Sequence, residues 1–351
     1  MIIKVFILIL LMMPIVLVGS SILHILFKKN GQIVVHTKEN ELKFVSVLVP
    51  AFNEESNIAN KINNLLSLDY PKNKLEIIIG SDGSTDNTVA ICQRFASKFD
   101  NVIFLEEKRG GKADIINKLV TKAKGEYVLI TDADTLIMNK DALKIAQSLN
   151  KDFVSAKLSY PKNSYWSLDY AIRSFESKFN RLLTSNGAFM FLKKEFFEPL
   201  PKYIIADDLF IPLTVLIKKG KTVLCDQIYC STEDESLTFP KYFNKRVRVI
   251  RGGLQTSFLL FGKLLINNFL STIFLLSHKI LRWFFLLLLF LNIFIFFGLK
   301  YFLLSLLFIF LLLIFKKTRY FLIDMIIPFF LIIDIAKLKK RDYTGWDTER
   351  H

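Results

Sequence analysis

The chain has 351 residues, 52% of them hydrophobic with 34 Phe, and a formal net charge of +15. That length holds one ordinary catalytic domain plus membrane segments, or two small domains. The charge flanks apolar runs and no nucleic-acid fold signature accompanies it, so it suits the lipid bilayer and anionic small molecules and sets nucleic acid aside as a partner.

From Val5 to Phe27 the sequence is nearly all apolar and ends at Lys28-Lys29. The run is long enough to span a bilayer. It reads as an uncleaved anchor over residues 1–29, in preference to a signal peptide cut near Gly19-Ser20-Ser21, with the lysines held in the cytoplasm. Residues 40–257 read as a soluble-type domain. Short apolar runs at 44–49, 76–80, 102–105 and 127–131 predict strands, and they alternate with helical patterns at 53–68, 87–99 and 112–123. Such alternation predicts an α/β fold, with a mainly parallel central sheet and helices on both faces. Its ligand is expected at the carboxyl ends of the strands.

Residues 258–281 read as an interfacial helix region. Residues 282–317 read as a transmembrane hairpin turning near Gly298–Lys300, with basic clusters on both flanks facing inward. Residues 318–351, interrupted by Asp324, Pro328 and Asp334, are expected to form a re-entrant or third membrane helix and a cytoplasmic tail. The expected location is the cell's inner membrane, multi-pass, with the soluble-type domain in the cytoplasm. Cys92, Cys225 and Cys230 are too few for a disulfide framework and lack zinc-ribbon spacing, so they read as reduced thiols.

Four features fall where this sheet places a site. Asp82 ends the second strand before Gly83-Ser84-Thr85, aimed at base or ribose groups, while Asp86 reads as a cap of the next helix. Asp132-Ala133-Asp134 ends the fourth strand, and two carboxylates at i and i+2 there can converge on Mg²⁺ or Mn²⁺ with substrate phosphate. Asp207-Asp208 opens a helical pattern and offers a general base. Lys245-Arg246-Val247-Arg248-Val249-Ile250-Arg251 serves anionic lipid or a diphosphate, with Arg248 favoured for the second role. Lys108-Arg109-Gly110-Gly111-Lys112 adds a glycine-flexed basic loop at a helix start, an arrangement that attracts phosphate.

In order along the chain, Val49-Pro50-Ala51-Phe52-Asn53-Glu54, Asp82-Gly83-Ser84, Gly111-Lys112-Ala113, Asp132-Ala133-Asp134, Thr184-Ser185-Asn186-Gly187-Ala188 and Asp207-Asp208 resemble the motifs of glycosyltransferase family 2. The last departs from the family's Glu-Asp by an Asp at its first position. The resemblance covers about residues 44–252. It implies a nucleotide-diphospho-sugar transferase fold of the GT-A type, a divalent cation, and inversion at the anomeric carbon. Position by position, it implies that Pro50, Glu54 and Asp82 contact the nucleotide, Lys112 and Asp132 hold the donor, and Asp134 with Asp132 binds the metal. Asp208 would be the base, with Asp207 beside it. Asn186, Gly187, Arg248 and Arg251 would face the acceptor or diphosphate. The expected partners are a nucleotide sugar, with uridine favoured, and a glycan or lipid-linked acceptor. Polymer-forming members carry Gln-x-x-Arg-Trp near the membrane. Here Arg248 is kept, but Lys245 replaces the Gln and Val249 the Trp. Transfer of one or a few sugars is therefore expected, the alternative being a processive β-polysaccharide synthase coupled to export.

Overall fold

The computed structural model describes residues 42–159, 164–232, 239–281 and 284–314, together with the single positions 8, 12, 19 and 327. Apart from those positions, the expected N-terminal anchor and the 318–351 segment lie outside the described residues. The described residues fall into two compact units, one from 42–159 and 176–232, the other from 164–175, 239–281 and 284–314.

In chain order the elements are β1 (Val45–Ala51), α1 (Ile58–Leu66), β2 (Leu75–Asp82), α2 (Thr88–Lys98), β3 (Val102–Glu107), α3 (Lys112–Lys122), β4 (Tyr127–Ile130), β5 (Thr135–Ile137), α4 (Ala142–Ser148) and β6 (Phe153–Ser159). There follow α5 (Ser164–Lys178), β7 (Met190–Lys193), α6 (Asp207–Ile217), β8 (Thr222–Thr232), α7 (Phe239–Asn267) and α8 (Phe269–Phe274). A π-helical turn (Leu275–Ile280), α9 (Phe285–Phe297) and α10 (Leu299–Ile314) complete the series.

The eight strands form one sheet in the order β3-β2-β1-β4-β7-β6-β8-β5. The strands β3, β2, β1 and β4 are mutually parallel. β1 and β2 are buried along their whole length, which is why they read in the sequence as apolar runs without alternation. One face packs Val45, Val47, Val49, Ile77 and Ile79 into a core with Ile58, Ile62 and Leu65 of α1, Cys92 of α2 and Leu143 of α4. On the other face Ile115 and Leu119 of α3 close over Gly80. Helices thus cover both faces, as expected. The expected predominance of parallel pairing holds narrowly, in four of the seven strand pairs. β7 lies antiparallel to both β4 and β6, β5 is antiparallel to β8, and only β6–β8 returns to parallel, so the sheet is mixed.

Register positions the site. Pairing runs from Val45↔Leu75 to Ala51↔Ser81, and Leu48 lies opposite Ile130. The carboxyl ends of β1, β2 and β4 therefore come out on one edge, carrying the three loops rich in aspartate and asparagine.

In the second unit, Tyr242–Asn267 of α7 is the one helix among the described residues that is long and apolar enough to cross a membrane, by length and composition. α7 runs without a break through residues 257 and 258. Within the described residues α9 and α10 have 13 and 16 residues. The chain reverses between them at Gly298, whose φ is +84°. The Phe302 ring lies 5.8 Å from those of both Phe290 and Phe294.

Candidate active site

The loops leaving β1 and β2 are knitted together. Asn53 adopts a positive φ, its N–H donates to Ser84 Oγ at 3.1 Å, and Thr85 N–H donates to Asn53 Oδ1 at 2.8 Å. Glu54 N–H donates to Thr88 Oγ1 at 2.8 Å, and Glu55 N–H to Asp86 Oδ2 at 3.1 Å. Asp86 also accepts the Thr88 N–H at 3.0 Å, the helix-start role expected of it. Burial opposes its charge, but these donors hold its carboxyl below the ordinary range. Glu54 is buried, with Oε2 accepting from Asn57 Nδ2 at 2.9 Å, and Pro50 sits in β1 opposite Gly80.

Asp82 is 1% exposed. Its Oδ1 accepts the Gly110 N–H at 2.7 Å, and its Oδ2 accepts the Gly111 N–H at 2.9 Å. Burial raises its pKa, against the pull of those two amides and of Arg109, whose Nη1 is 3.5 Å from Oδ2. The Arg109 guanidinium carbon lies over the Phe52 ring, 3.4 Å from its centroid. Asp82 thus spends its oxygens on the glycine loop and fixes how that loop enters α3. Gly111, the residue before the helix, has φ +91°, a conformation open mainly to glycine.

The loop delivers Lys112 to the centre of the site. Its Nζ lies 2.9 Å from Asp132 Oδ1 and 2.9 Å from Asp207 Oδ2. Burial disfavours the ammonium, but the two carboxylates outweigh it and lift the lysine pKa above its usual range. One lysine therefore joins the end of β4 to the start of α6, although the two acids stand 75 positions apart in the sequence. Asp208, the next residue of α6, is half-buried.

The 184–188 loop fills the space between these acids. Asp132 N–H donates to Gly187 O at 2.9 Å, and Thr131 Oγ1 donates to Ala188 O at 2.6 Å. A side chain at Gly187 has no room, because its Cβ would lie 1.8 Å from Asp132 Oδ2. Ser185 N–H donates to Asp208 O at 2.8 Å. That carbonyl is available because Pro212, inside α6, has no N–H to return to it. Asn186 donates Nδ2 to Ala156 O at 2.8 Å, and its Oδ1 is buried with no hydrogen-bond partner among the described residues.

Lys61 is the feature that the sequence reading missed. It lies on α1 in the apolar stripe of Ile58, Ile62 and Leu65 and is fully buried beneath the Asp132–Asp134 turn. Burial pushes its pKa down to about 8, against the nearby Cys230, Asp132 and Asp134. A lysine at a core-facing helical position was the signal available. Asn117 of α3 clamps Leu200 by both its backbone N–H and C=O, at 2.8 Å each.

Glu54, Asp82, Lys112, Asp132, Asp134, Asn186, Gly187, Asp207 and Asp208 all lie in the first unit. Arg248 and Arg251 lie one turn apart on α7, in the second. Among the described residues no three His, Cys, Asp or Glu side chains close into a ready metal cage. Asp132 and Asp134, two carboxylates on an open turn, suit a hard cation that completes its shell with phosphate oxygens and water.

The model of the family described as glycosyl transferase family 2 matches residues 46–201. This stretch of the chain belongs to glycosyl transferase family 2. The family 2 region takes in the loops after β1, β2 and β4 and the 184–188 loop, and it stops short of Asp207 and Asp208. The chain is 26% identical over 254 residues to the beta-monoglucosyldiacylglycerol synthase of Nostoc, an alignment covering 67% of this chain and 54% of that protein. It is 39% identical over 106 residues to a poly(ribitol-phosphate) beta-N-acetylglucosaminyltransferase of Staphylococcus aureus, covering 30% and 18% respectively. The chain thus spans about half the length of the first relative and less of the second. Its fold is that of the mannosyltransferase of Pyrobaculum calidifontis, solved with GDP-Man and Mn²⁺. The TM-score is 0.68 and the identity 22%, over 94% of this chain and 99% of that one.

Proposed function

We propose that the protein is an inverting glycosyltransferase. It moves a sugar from a nucleotide-diphospho-sugar to a hydroxyl of a membrane-associated glycan or lipid-linked acceptor. The observation that carries this reading is the Lys112 bridge, with one Nζ 2.9 Å from carboxylates at the ends of two separate elements. Two acids on one lysine, at the strand edge where the family motifs meet, favour a site that handles phosphate charge.

In this reading the nucleotide lies along the 50–54 and 82–86 loops, framed by Pro50, Glu54 and Asp82. Lys112 and Asp132 hold the diphosphate end. Asp134 with Asp132 would hold Mg²⁺ or Mn²⁺, as the P. calidifontis enzyme was solved with Mn²⁺. A bound cation would neutralise charge on the departing diphosphate. Asp208, half-buried next to Asp207 at the start of α6, takes the proton of the attacking hydroxyl. In-line attack from that side needs no second acid and inverts the anomeric centre. Asn186 Oδ1, buried without a partner, supplies an acceptor for a second substrate hydroxyl, with Gly187 giving access beside Asp132. Arg248 and Arg251 serve the diphosphate or anionic lipid.

A lipid-linked acceptor is favoured by the apolar helices of the second unit and by the diacylglycerol named for the Nostoc relative. They also favour a place at the cell membrane with the first unit in the cytoplasm, through the one candidate span among the described residues rather than the several expected. The test uses the full chain in detergent with UDP-Glc, UDP-GlcNAc and GDP-Man, with diacylglycerol as acceptor, with and without Mn²⁺. Metal-dependent release of nucleoside diphosphate, together with a single glycosylated product, supports the reading. Release from none of the donors sinks it, and a size ladder of products points instead to the processive synthase.

A further inference from the structure

Lys61 is fully buried and lies 70 positions before the turn it touches, yet every polar group around it is matched. Its Nζ donates to Thr131 Oγ1 at 2.6 Å, to Thr135 O at 2.8 Å and to Thr135 Oγ1 at 3.3 Å. Thr131 passes its own proton to Ala188 O, and Thr135 passes its proton to Asp132 O at 3.0 Å. The ammonium therefore grips both ends of the five-residue turn that carries Asp132 and Asp134. Through Thr131 it also grips the 184–188 loop.

One turn further along α1, Asn64 clamps β5 by itself, with Nδ2 to Ile137 O at 2.8 Å and Ile137 N–H to Oδ1 at 2.9 Å. The strand following the turn thus has a neutral anchor of its own. The charged anchor stands only under the acidic turn. A neutral side chain makes the same kind of bond without the desolvation that a buried ammonium incurs. A positive charge in that place is explained by what stands above it, two carboxylates that repel one another.

We infer that Lys61 is the positioning residue that presets the Asp132–Asp134 turn for a divalent cation and its diphosphate. This inference rests on the reading of Asp132 and Asp134 given under Proposed function. Supporting groups of this kind cost about 10- to 100-fold in metal affinity when removed.

The test compares Lys61→Met, which keeps the stem and removes the ammonium, with Asn64→Leu, which removes a clamp of similar size away from the acids. Mn²⁺ binding is titrated by electron paramagnetic resonance on the full chain with UDP or GDP, and melting is followed in parallel. Lys61→Met should weaken Mn²⁺ binding by about tenfold or more, with a melting midpoint near the parent's. Asn64→Leu should lower the midpoint and leave Mn²⁺ affinity within about twofold, as a substitution outside the hydrogen-bond chain to the acids. Thr135→Val, which cuts the link from Lys61 to the Asp132 carbonyl, should weaken Mn²⁺ binding in a folded protein and decides the case if Lys61→Met does not fold. Equal Mn²⁺ affinity in the parent and in the folded Lys61 or Thr135 variant overturns the inference and leaves the site reading standing. Equal losses in the Lys61 and Asn64 variants reduce Lys61 to a structural residue. A parent that binds no Mn²⁺ with either nucleotide overturns both readings together.

Discussion

β2 and β4 are parallel strands that deliver aspartates to the same edge of one sheet, and the two aspartates meet opposite surroundings. Asp82 is sealed. The amides of Gly110 and Gly111 occupy its oxygens, and Arg109 and Phe52 stack beside it. Asp132 is left 28% exposed, facing a lysine that it shares with Asp207. The strand end alone does not decide what a carboxylate does. What decides it is whether the following chain turns back with N–H groups to cover it, as 110–111 does, or leaves it to side chains that can exchange partners.

Substitutions can break this contrast. The largest effect is expected at Asp208→Asn, with turnover down on the order of a thousandfold and donor binding kept, as for loss of a general base. Single-turnover rates beside nucleotide-sugar binding check it, and a normal rate removes Asp208 from the chemistry. Gly187→Ala comes next. Its Cβ must push the Asp132 carboxylate aside, and a misplacement of that size costs about a hundredfold in rate. The fold should survive, since the strain falls on the end of a partly exposed side chain.

Asp82→Ala should act on stability first. It leaves two loop amides without acceptors, a loss of about 2 kcal/mol by denaturant melting. If it abolishes turnover at an unchanged midpoint, the contrast between the two strand ends is wrong. The pH dependence sharpens the same point. Burial raises the Asp82 pKa above its unfolded value, so the protonated form is favoured on folding. The parent should therefore gain stability relative to Asp82→Asn as pH falls from the raised value toward about 3.9, and the difference should level off below that. The smallest effect concerns the thiols. Cys92, Cys225 and Cys230 are buried, and burial pushes Cys92 and Cys230 up to about 12. Iodoacetamide at about pH 8 should label none of them until the protein is unfolded.

The parallel half of the sheet was legible in the sequence because β1, β2 and β4 are buried on both faces and spell mostly apolar runs, broken only by polar residues such as Ser46 and Glu76. The other half was not. β5 has three residues, β6 and β8 carry Ser, Lys and Thr among their apolar positions, and their pairing shifts register at Ala156 and Lys157. These strands owe their place to long-range partners rather than to local pattern. At the site, Lys112, Asp132 and Asp207 belong to three separate motifs in the sequence, and the fold joins them through one lysine. Asp82 is expected at the nucleotide, and nothing local announces the two amides, 28 and 29 positions later, that also occupy its oxygens. Lys61 escaped because charge on a helix is ordinarily taken for a solvated face. The three apolar residues sharing its stripe were the clue to the contrary.

Pro212 gives a last consequence. A proline within a helix ordinarily weakens it, but here the missing donor leaves one carbonyl vacant, and Ser185 docks there. The peptide unit that carries the carboxyl group of Asp208 is thereby tethered to the strip of chain that walls in Asp132. A shift at the start of this helix is therefore passed directly to the 184–188 loop, and through the Gly187 carbonyl to the backbone of Asp132.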